Sequence, residues 1–161
     1  MKELILVRHG KSSWSYDVED ADRPLKERGI RDAHRVAQHV ASHIGEVDAV
    51  YSSPANRALH TCVILMRGLG LSPEKIRIRK ELYDFSGGAV RTFVHGLEDS
   101  LQKVMVFGHN HALTHLVNDW GDRYVDNLPT AGLAHLAFEV DRWREVSYGK
   151  TQLIVFPKEL R

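Results

Sequence analysis

The chain lacks several features that mark specialised classes of protein. Its 161 residues include a single cysteine, Cys62, so no disulfide can form within the chain. It has no apolar run as long as a membrane-spanning helix requires, and its first residues do not read as a secretion signal. From these absences we expect a protein of the cytoplasm that does not enter a membrane.

An excess of one charge is also missing. Lys and Arg together number 22 and Asp and Glu 21, which gives a formal net charge of +1. Such a balance provides no bulk field to attract nucleic acid or a membrane surface, so neither is expected as a partner. An anionic substrate would need a local cluster of cations. The length suits one domain, residues 1–161, and we expect a monomer.

Predicted strands and helices alternate along most of the chain. Apolar strands are predicted at 3–8, 47–51, 76–79 and 104–107, and helices at 25–44, 54–67, 90–97 and 112–120. Ser53 is expected to cap the second helix, with Pro54 in its first turn. Residues 133–140 and 151–156 are typical of edge or antiparallel strands, with Trp143 packing between them. We therefore expect a single α/β domain with a mainly parallel central sheet flanked by helices.

The first strand ends abruptly in Arg8-His9-Gly10. Gly10 allows a sharp turn, and open α/β sheets bind ligands at the carboxyl ends of their strands. An arginine offers a planar fork of donors to phosphate oxygens, and a histidine can act as base or nucleophile near neutral pH. The motif therefore predicts chemistry on a phosphate group.

Two further strands are followed by the same residue types. Arg57 lies one turn into the helix after the second strand, and Gly108-His109 follows the fourth. Because the carboxyl ends of parallel strands share one edge of a sheet, two arginines and two histidines are expected to converge there. Glu81, after the third strand, is expected at the rim.

Together these motifs resemble the histidine phosphatase superfamily, which has the phosphoglycerate mutase-like fold. The resemblance is carried by Arg8-His9-Gly10, by the pattern Ser-Ser-Pro-x-x-Arg-Ala-x-x-Thr over residues 52–61, by Glu81 and by Gly108-His109. Within the superfamily, residues 8–14 and 22–29 are most similar to SixA-type phosphohistidine phosphatases.

The resemblance implies that His9 attacks phosphorus and carries a transient phosphoryl group, while Arg8, Arg57 and His109 bind the phosphoryl oxygens. Because side chains supply the positive charge, it implies neither a metal nor another cofactor. Lys11 and Ser12 are candidate contacts for the phosphate or the partner.

The residue that would donate a proton to the leaving group is less well defined. Glu81 matches the position where many members of the superfamily hold a proton donor, but the Glu-Gly that follows in many relatives is missing. Asp84 is a second candidate.

The chain leaves little room for a lid over the site, which favours a phosphohistidine-bearing signalling or phosphotransfer protein as substrate. A phosphatase of small phosphomonoesters or phosphoserine is the first alternative, and a non-catalytic module that binds phosphoproteins is the second. A mutase is disfavoured, because it must shield its phosphoenzyme from water.

Overall fold

Strands and helices alternate from the first residue to about residue 120. The computed structural model describes residues 1–161. The strands are β1 (Lys2–Arg8), β2 (Ala49–Ser52), β3 (Ile76–Ile78), β4 (Lys103–Gly108), β5 (Leu133–Phe138) and β6 (Lys150–Val155). The helices are α1 (Glu27–Ile44), α2 (Asn56–Gly68), α3 (Gly88–His95) and α4 (Ala112–Trp120). None of these helices combines the length and apolar character needed to cross a bilayer.

The six strands form one sheet in the order β3-β2-β4-β1-β5-β6. The first four strands of the chain run parallel, whereas β5 and β6 pair antiparallel at one side. The central strands β1 and β4 contain uninterrupted apolar runs, residues 4–7 and 104–107, which are fully buried. Parallel strands covered on both faces require such runs. The predicted fold class is confirmed.

Helices cover the two faces of the sheet in pairs. The apolar stripe of α1 packs with α2 in one core cluster, while α3 and α4 belong to the cluster on the other face. Trp143 is completely buried in the second cluster, as predicted. The three layers leave the carboxyl ends of β1, β2 and β4 together at one edge of the sheet.

The loop after β1 is held tightly against the start of α1. A Cβ atom added to Gly10 would lie 2.8 Å from the carbonyl oxygen of Gly29, and one added to Gly29 would lie 2.3 Å from that of Lys11. Only residues without a side chain allow two backbone segments to approach so closely. This contact fixes the position of the loop that carries His9.

The predicted ends of the helices and strands lie within two residues of the observed ones, but the predicted role of Ser53 is wrong. The α2 helix begins at Asn56, and Ala55 occupies its N-cap position. The Oγ atom of Ser53 accepts the N–H of Ala55 at 3.2 Å and lies 2.8 Å from Nε2 of His109. The Ser53 hydroxyl thus contacts His109, which is distant in the sequence, and does not cap α2.

Candidate active site

A cavity of about 270 Å³ opens at the carboxyl ends of β1 and β2. It brings together the predicted residues Arg8, His9 and Arg57, and both Lys11 and Ser12 lie in its wall. The complete lining is Arg8, His9, Lys11, Ser12, Trp14, Asp20, Arg23, Arg57, Phe85 and Thr130. The lining contains four cationic side chains, Arg8, Lys11, Arg23 and Arg57, and a single carboxylate, that of Asp20, so the cavity is suited to an anion.

His9 is the first residue after β1, and its backbone N–H donates to the carbonyl of Gly108 at 3.1 Å. Its Nδ1 atom lies 2.7 Å from the carbonyl oxygen of Gly10. Because a carbonyl only accepts, Nδ1 holds the proton and Nε2 keeps a free lone pair. Burial lowers the pKa of His9 to about 3, against the raising effect of the Gly10 bond. The ring is therefore neutral at pH 7, as a nucleophile must be.

His109 lies beside His9, with 5.3 Å between the ring centroids. Burial, together with the charge of Arg57, lowers the pKa of His109 to about 4. Since Ser53 Oγ already accepts the N–H of Ala55, its own proton is available for Nε2 of His109. When Ser53 donates that proton to Nε2, the ring proton of neutral His109 lies on Nδ1, which makes Nδ1 a hydrogen-bond donor.

Arg57 is almost completely buried, and hydrogen bonds hold both its guanidinium group and its backbone carbonyl. One terminal nitrogen lies 2.9 Å from Oδ2 of Asp20, and the other donates to the Asp20 carbonyl at 2.6 Å. At the backbone, Thr61 Oγ1 donates to the Arg57 carbonyl at 2.7 Å and accepts the N–H of Gly10 at 2.9 Å. Thr61 therefore ties the helix that carries Arg57 to the loop that carries His9.

Asp20 is a residue of this site that the sequence did not indicate. Its carboxylate also accepts hydrogen bonds from Arg23 and Tyr83. Burial acts to raise the pKa of the Asp20 carboxyl, but the bonds from Tyr83, Arg57 and Arg23 outweigh it and hold the pKa well below its usual range. Asp20 is therefore ionised and acts as the counter-charge of Arg57.

Three buried nitrogens around His9 have no hydrogen-bond partner in the protein: Nε of Arg8, Nε of Arg57 and Nδ1 of His109. A buried donor left without an acceptor costs free energy, and most such groups in proteins are paired. Each arginine Nε is a donor, and Nδ1 of His109 is a donor when Ser53 donates to Nε2, so their common complement is a group with several acceptor oxygens.

Neither of the two candidate acids lines the cavity that contains His9. Glu81 is exposed, makes no hydrogen bond or ion pair with the residues around His9, and lines a separate cavity of about 650 Å³ with Tyr51 and Arg79. Asp84 accepts the N–H groups of Ser86, Gly87 and Val90 at the start of α3. Burial acts to raise the pKa of Asp84, but these bonds lower it, so the carboxyl stays ionised. Neither residue presents a proton donor to the cavity.

No group of three or more His, Cys, Asp or Glu side chains is arranged to hold a metal ion. Four cationic side chains, Arg8, Lys11, Arg23 and Arg57, line the cavity and place positive charge around His9.

Comparison with known proteins gives a consistent result. The family model of the histidine phosphatase superfamily (branch 1) matches residues 4–99. An uncharacterised protein of Mycobacterium tuberculosis is 28% identical over 160 residues, which cover 93% of this chain and 98% of that protein.

Two solved structures share the fold. The protein histidine phosphatase SixA, complexed with tungstate, has a TM-score of 0.82 and 21% identity, with 99% of both chains covered. The mycobacterial glucosyl-3-phosphoglycerate phosphatase, complexed with VO3, has a TM-score of 0.71 and 15% identity, with 95% of this chain and 98% of that chain covered.

Proposed function

The chain belongs to the histidine phosphatase superfamily, and from that membership and the cavity around His9 we propose that it is a phosphatase whose His9 carries the phosphoryl group between two transfer steps. The observation that carries this proposal is the set of three unpartnered donors, on Arg8, Arg57 and His109, around a neutral histidine. A phosphoryl group supplies three oxygens to these donors and an electrophilic phosphorus to His9.

In the first step, Nε2 of His9 donates its lone pair to phosphorus, and the bond from phosphorus to the leaving group breaks with its electron pair. The three donors hold the equatorial oxygens, where negative charge is greatest in the transition state. In the second step, water attacks the phosphorus of phospho-His9. The P–N bond breaks, Nε2 recovers its lone pair, and inorganic phosphate is released.

The placement of the acids supports a phosphohistidine substrate. An alkoxide leaves poorly and needs a proton from a positioned acid, whereas an imidazole protonated on its other nitrogen leaves as a neutral ring. Neither Glu81 nor Asp84 lines the cavity of His9, and Asp84 is held in its ionised form. We therefore infer that the preferred substrate is a phosphohistidine on a signalling or phosphotransfer protein. The shared fold with SixA agrees with this inference.

A small phosphomonoester is the second candidate substrate. The cavity of about 270 Å³ could admit a sugar phosphate, and the fold is shared with a glucosyl-3-phosphoglycerate phosphatase. Four cations in the cavity wall would bind such an ester by its phosphate group alone.

Phosphate release from two substrates tests the proposal. The purified protein is incubated, with a chelator present, with a phosphohistidine-bearing carrier protein and separately with a small phosphomonoester. The variants are His9→Ala and, as a matched control, His34→Ala, since His34 is an exposed histidine on α1. We expect release mainly from the phosphohistidine protein, at least about 1,000-fold slower in His9→Ala and unchanged in the control.

Each other outcome has a separate meaning. Release mainly from the small ester would keep the nucleophile and transfer the preference to the second candidate. A His9→Ala variant with nearly wild-type turnover would refute the role of His9. Release from neither substrate would indicate a module that binds phosphoproteins without turnover.

A further inference from the structure

Two exposed aromatic side chains stand at the mouth of the candidate active site. Trp14 is 75% exposed and Phe85 is 45% exposed, although both line the cavity that contains His9. Large aromatic rings at a surface commonly mark a place where another molecule binds. His9, in contrast, is only 8% exposed and forms the floor of the same cavity.

Both rings are supported by side chains of the site. The guanidinium carbon of Arg23 lies 3.2 Å from the centroid of the Trp14 ring. Arg23 is itself buried and donates to the Ser13 carbonyl at 3.0 Å and to Ser12 Oγ at 2.6 Å. One contact surface of Trp14 is thus held by a fixed arginine while most of the ring faces solvent.

Phe85 is held by two other rings. Its centroid lies 4.9 Å from that of His109 and 5.0 Å from that of Tyr83, the latter in an edge-to-face arrangement. Its position is therefore set by the candidate active site, while nearly half of its surface stays open at the cavity mouth.

The direction of phosphoryl transfer brings the leaving group to these rings. Attacking and leaving atoms lie roughly in line through phosphorus, so a leaving group opposite His9 points away from the cavity floor. We propose that Trp14 and Phe85 form an aromatic mouth that stacks on the leaving group and makes the enzyme selective for phosphate carried by a flat ring. This inference rests on the proposed function and names the two residues that select the leaving group.

Stacking favours an imidazole for two reasons. Its planar face can make an offset contact with an aromatic ring, which an aliphatic chain or ammonia cannot do. When protonated it also carries positive charge, which the faces of Trp14 and Phe85 attract.

A matched pair of substrates isolates this effect. Phosphohistidine, as the free amino acid, and phosphoramidate both break a P–N bond, but only the first has a ring as leaving group. The variants Trp14→Leu and Phe85→Leu keep apolar volume and remove the ring. We expect kcat/KM for phosphohistidine to fall about 2- to 12-fold in each variant, while kcat/KM for phosphoramidate changes less than about twofold. Tyr124→Leu is the control, because Tyr124 is 78% exposed and lies outside the cavity.

An equal loss with both substrates, or a loss with neither, would overturn the inference and leave the proposed function standing. A second readout does not depend on turnover. Phenylphosphonate should bind the wild type more tightly than methylphosphonate does, and each Leu variant should reduce that preference, as measured by calorimetry. If the preference is present but no substrate is hydrolysed, the proposed function fails while ring recognition holds; if the preference is absent, ring recognition fails.

Discussion

The buried, uncharged state of His9 should make the stability of the protein depend on pH in a way that one substitution removes. The perturbation is a change from pH 7 to pH 4.5, applied to the wild type and to His9→Asn. Asparagine is polar and of similar length but does not titrate. All other titrating groups are common to both proteins, so the difference between them reports the titration of His9 together with its coupling to the neighbouring His109.

The sign and size of the expected change in stability follow from the pKa values of His9 in the folded protein and in the unfolded chain. In the folded protein burial lowers the pKa of His9 to about 3 from the ordinary 6.5, which the unfolded chain retains. Between these values the unfolded chain binds more protons than the folded protein does. The contribution of His9 to the free energy of unfolding is therefore fully present above pH 6.5 and declines as pH falls towards 3. At about 1.4 kcal/mol per pH unit, the change from pH 7 to 4.5 should remove about 2.5 kcal/mol from the wild type through His9.

Urea unfolding at both pH values measures this difference. The buried Trp120 and Trp143 provide a fluorescence change on unfolding, and linear extrapolation gives the free energy in water. The wild type should lose about 2.5 kcal/mol more than His9→Asn between the two pH values. The same loss in both proteins would show that His9 titrates near its ordinary pKa in the folded state. Burial would then not be what keeps His9 neutral.

Three further substitutions test other parts of the site. Ser53→Ala should lower kcat/KM about 10-fold, because Nε2 of His109 loses the hydroxyl that fixes its tautomer. Glu81→Gln should leave kcat/KM within about twofold of the wild type on alkyl phosphates and phosphohistidine alike, because Glu81 lies in another cavity. Gly29→Ala should reduce the free energy of unfolding by about 2 kcal/mol or more in urea titrations, because its Cβ would lie 2.3 Å from the Lys11 carbonyl oxygen.

For each of these substitutions, one outcome would contradict the prediction. Wild-type turnover in Ser53→Ala would mean that the protein does not need this hydroxyl to orient His109. A loss confined to alkyl phosphates in Glu81→Gln would restore Glu81 as the acid. Unchanged stability of Gly29→Ala would show that the loop after β1 can move away from α1.

Much of the fold could be predicted because its elements obey local rules. The central strands β1 and β4 are runs of apolar residues at 4–7 and 104–107, and α1 has an apolar stripe at helical spacing. The start of α2 is different. The sequence Ser53-Pro54 has the chemistry of a helix start, but the Ser53 hydroxyl also contacts His109, which is 56 residues away in the chain. No local pattern contains that contact.

The candidate active site also contains some residues that local rules predict and others that they do not. Arg8, His9 and His109 could be predicted because each ends or directly follows a strand whose end the topology places at one edge. Glu81 also follows a strand, but the turn after β3 directs it to a different cavity. Asp20 lies in a polar loop that contains other acidic residues, and only the folded loop shows which of them contacts Arg57.

The candidate active site follows one rule throughout. Each of its four central residues uses at least one side-chain nitrogen in a hydrogen bond with the protein and keeps another nitrogen free of protein partners. Arg8 donates a terminal nitrogen to the Leu128 carbonyl at 2.9 Å and keeps Nε, and Arg57 donates both terminal nitrogens to Asp20 and keeps Nε. The histidines behave likewise, with Nε2 of His9 and Nδ1 of His109 left available.

This rule explains why a carboxylate belongs in a cavity suited to anions. A buried arginine needs a counter-charge, and Asp20 supplies one without contacting Nε of Arg57. The donors are therefore fixed in place before a phosphoryl group arrives, and the protein need not reorganise as charge develops in the transition state. Asp20 lowers the net positive charge of the site, but in return it holds Arg57 in one orientation. The same carboxylate keeps Arg23 beside Trp14, so one loop residue orders both the phosphate-binding donors and one side of the aromatic mouth.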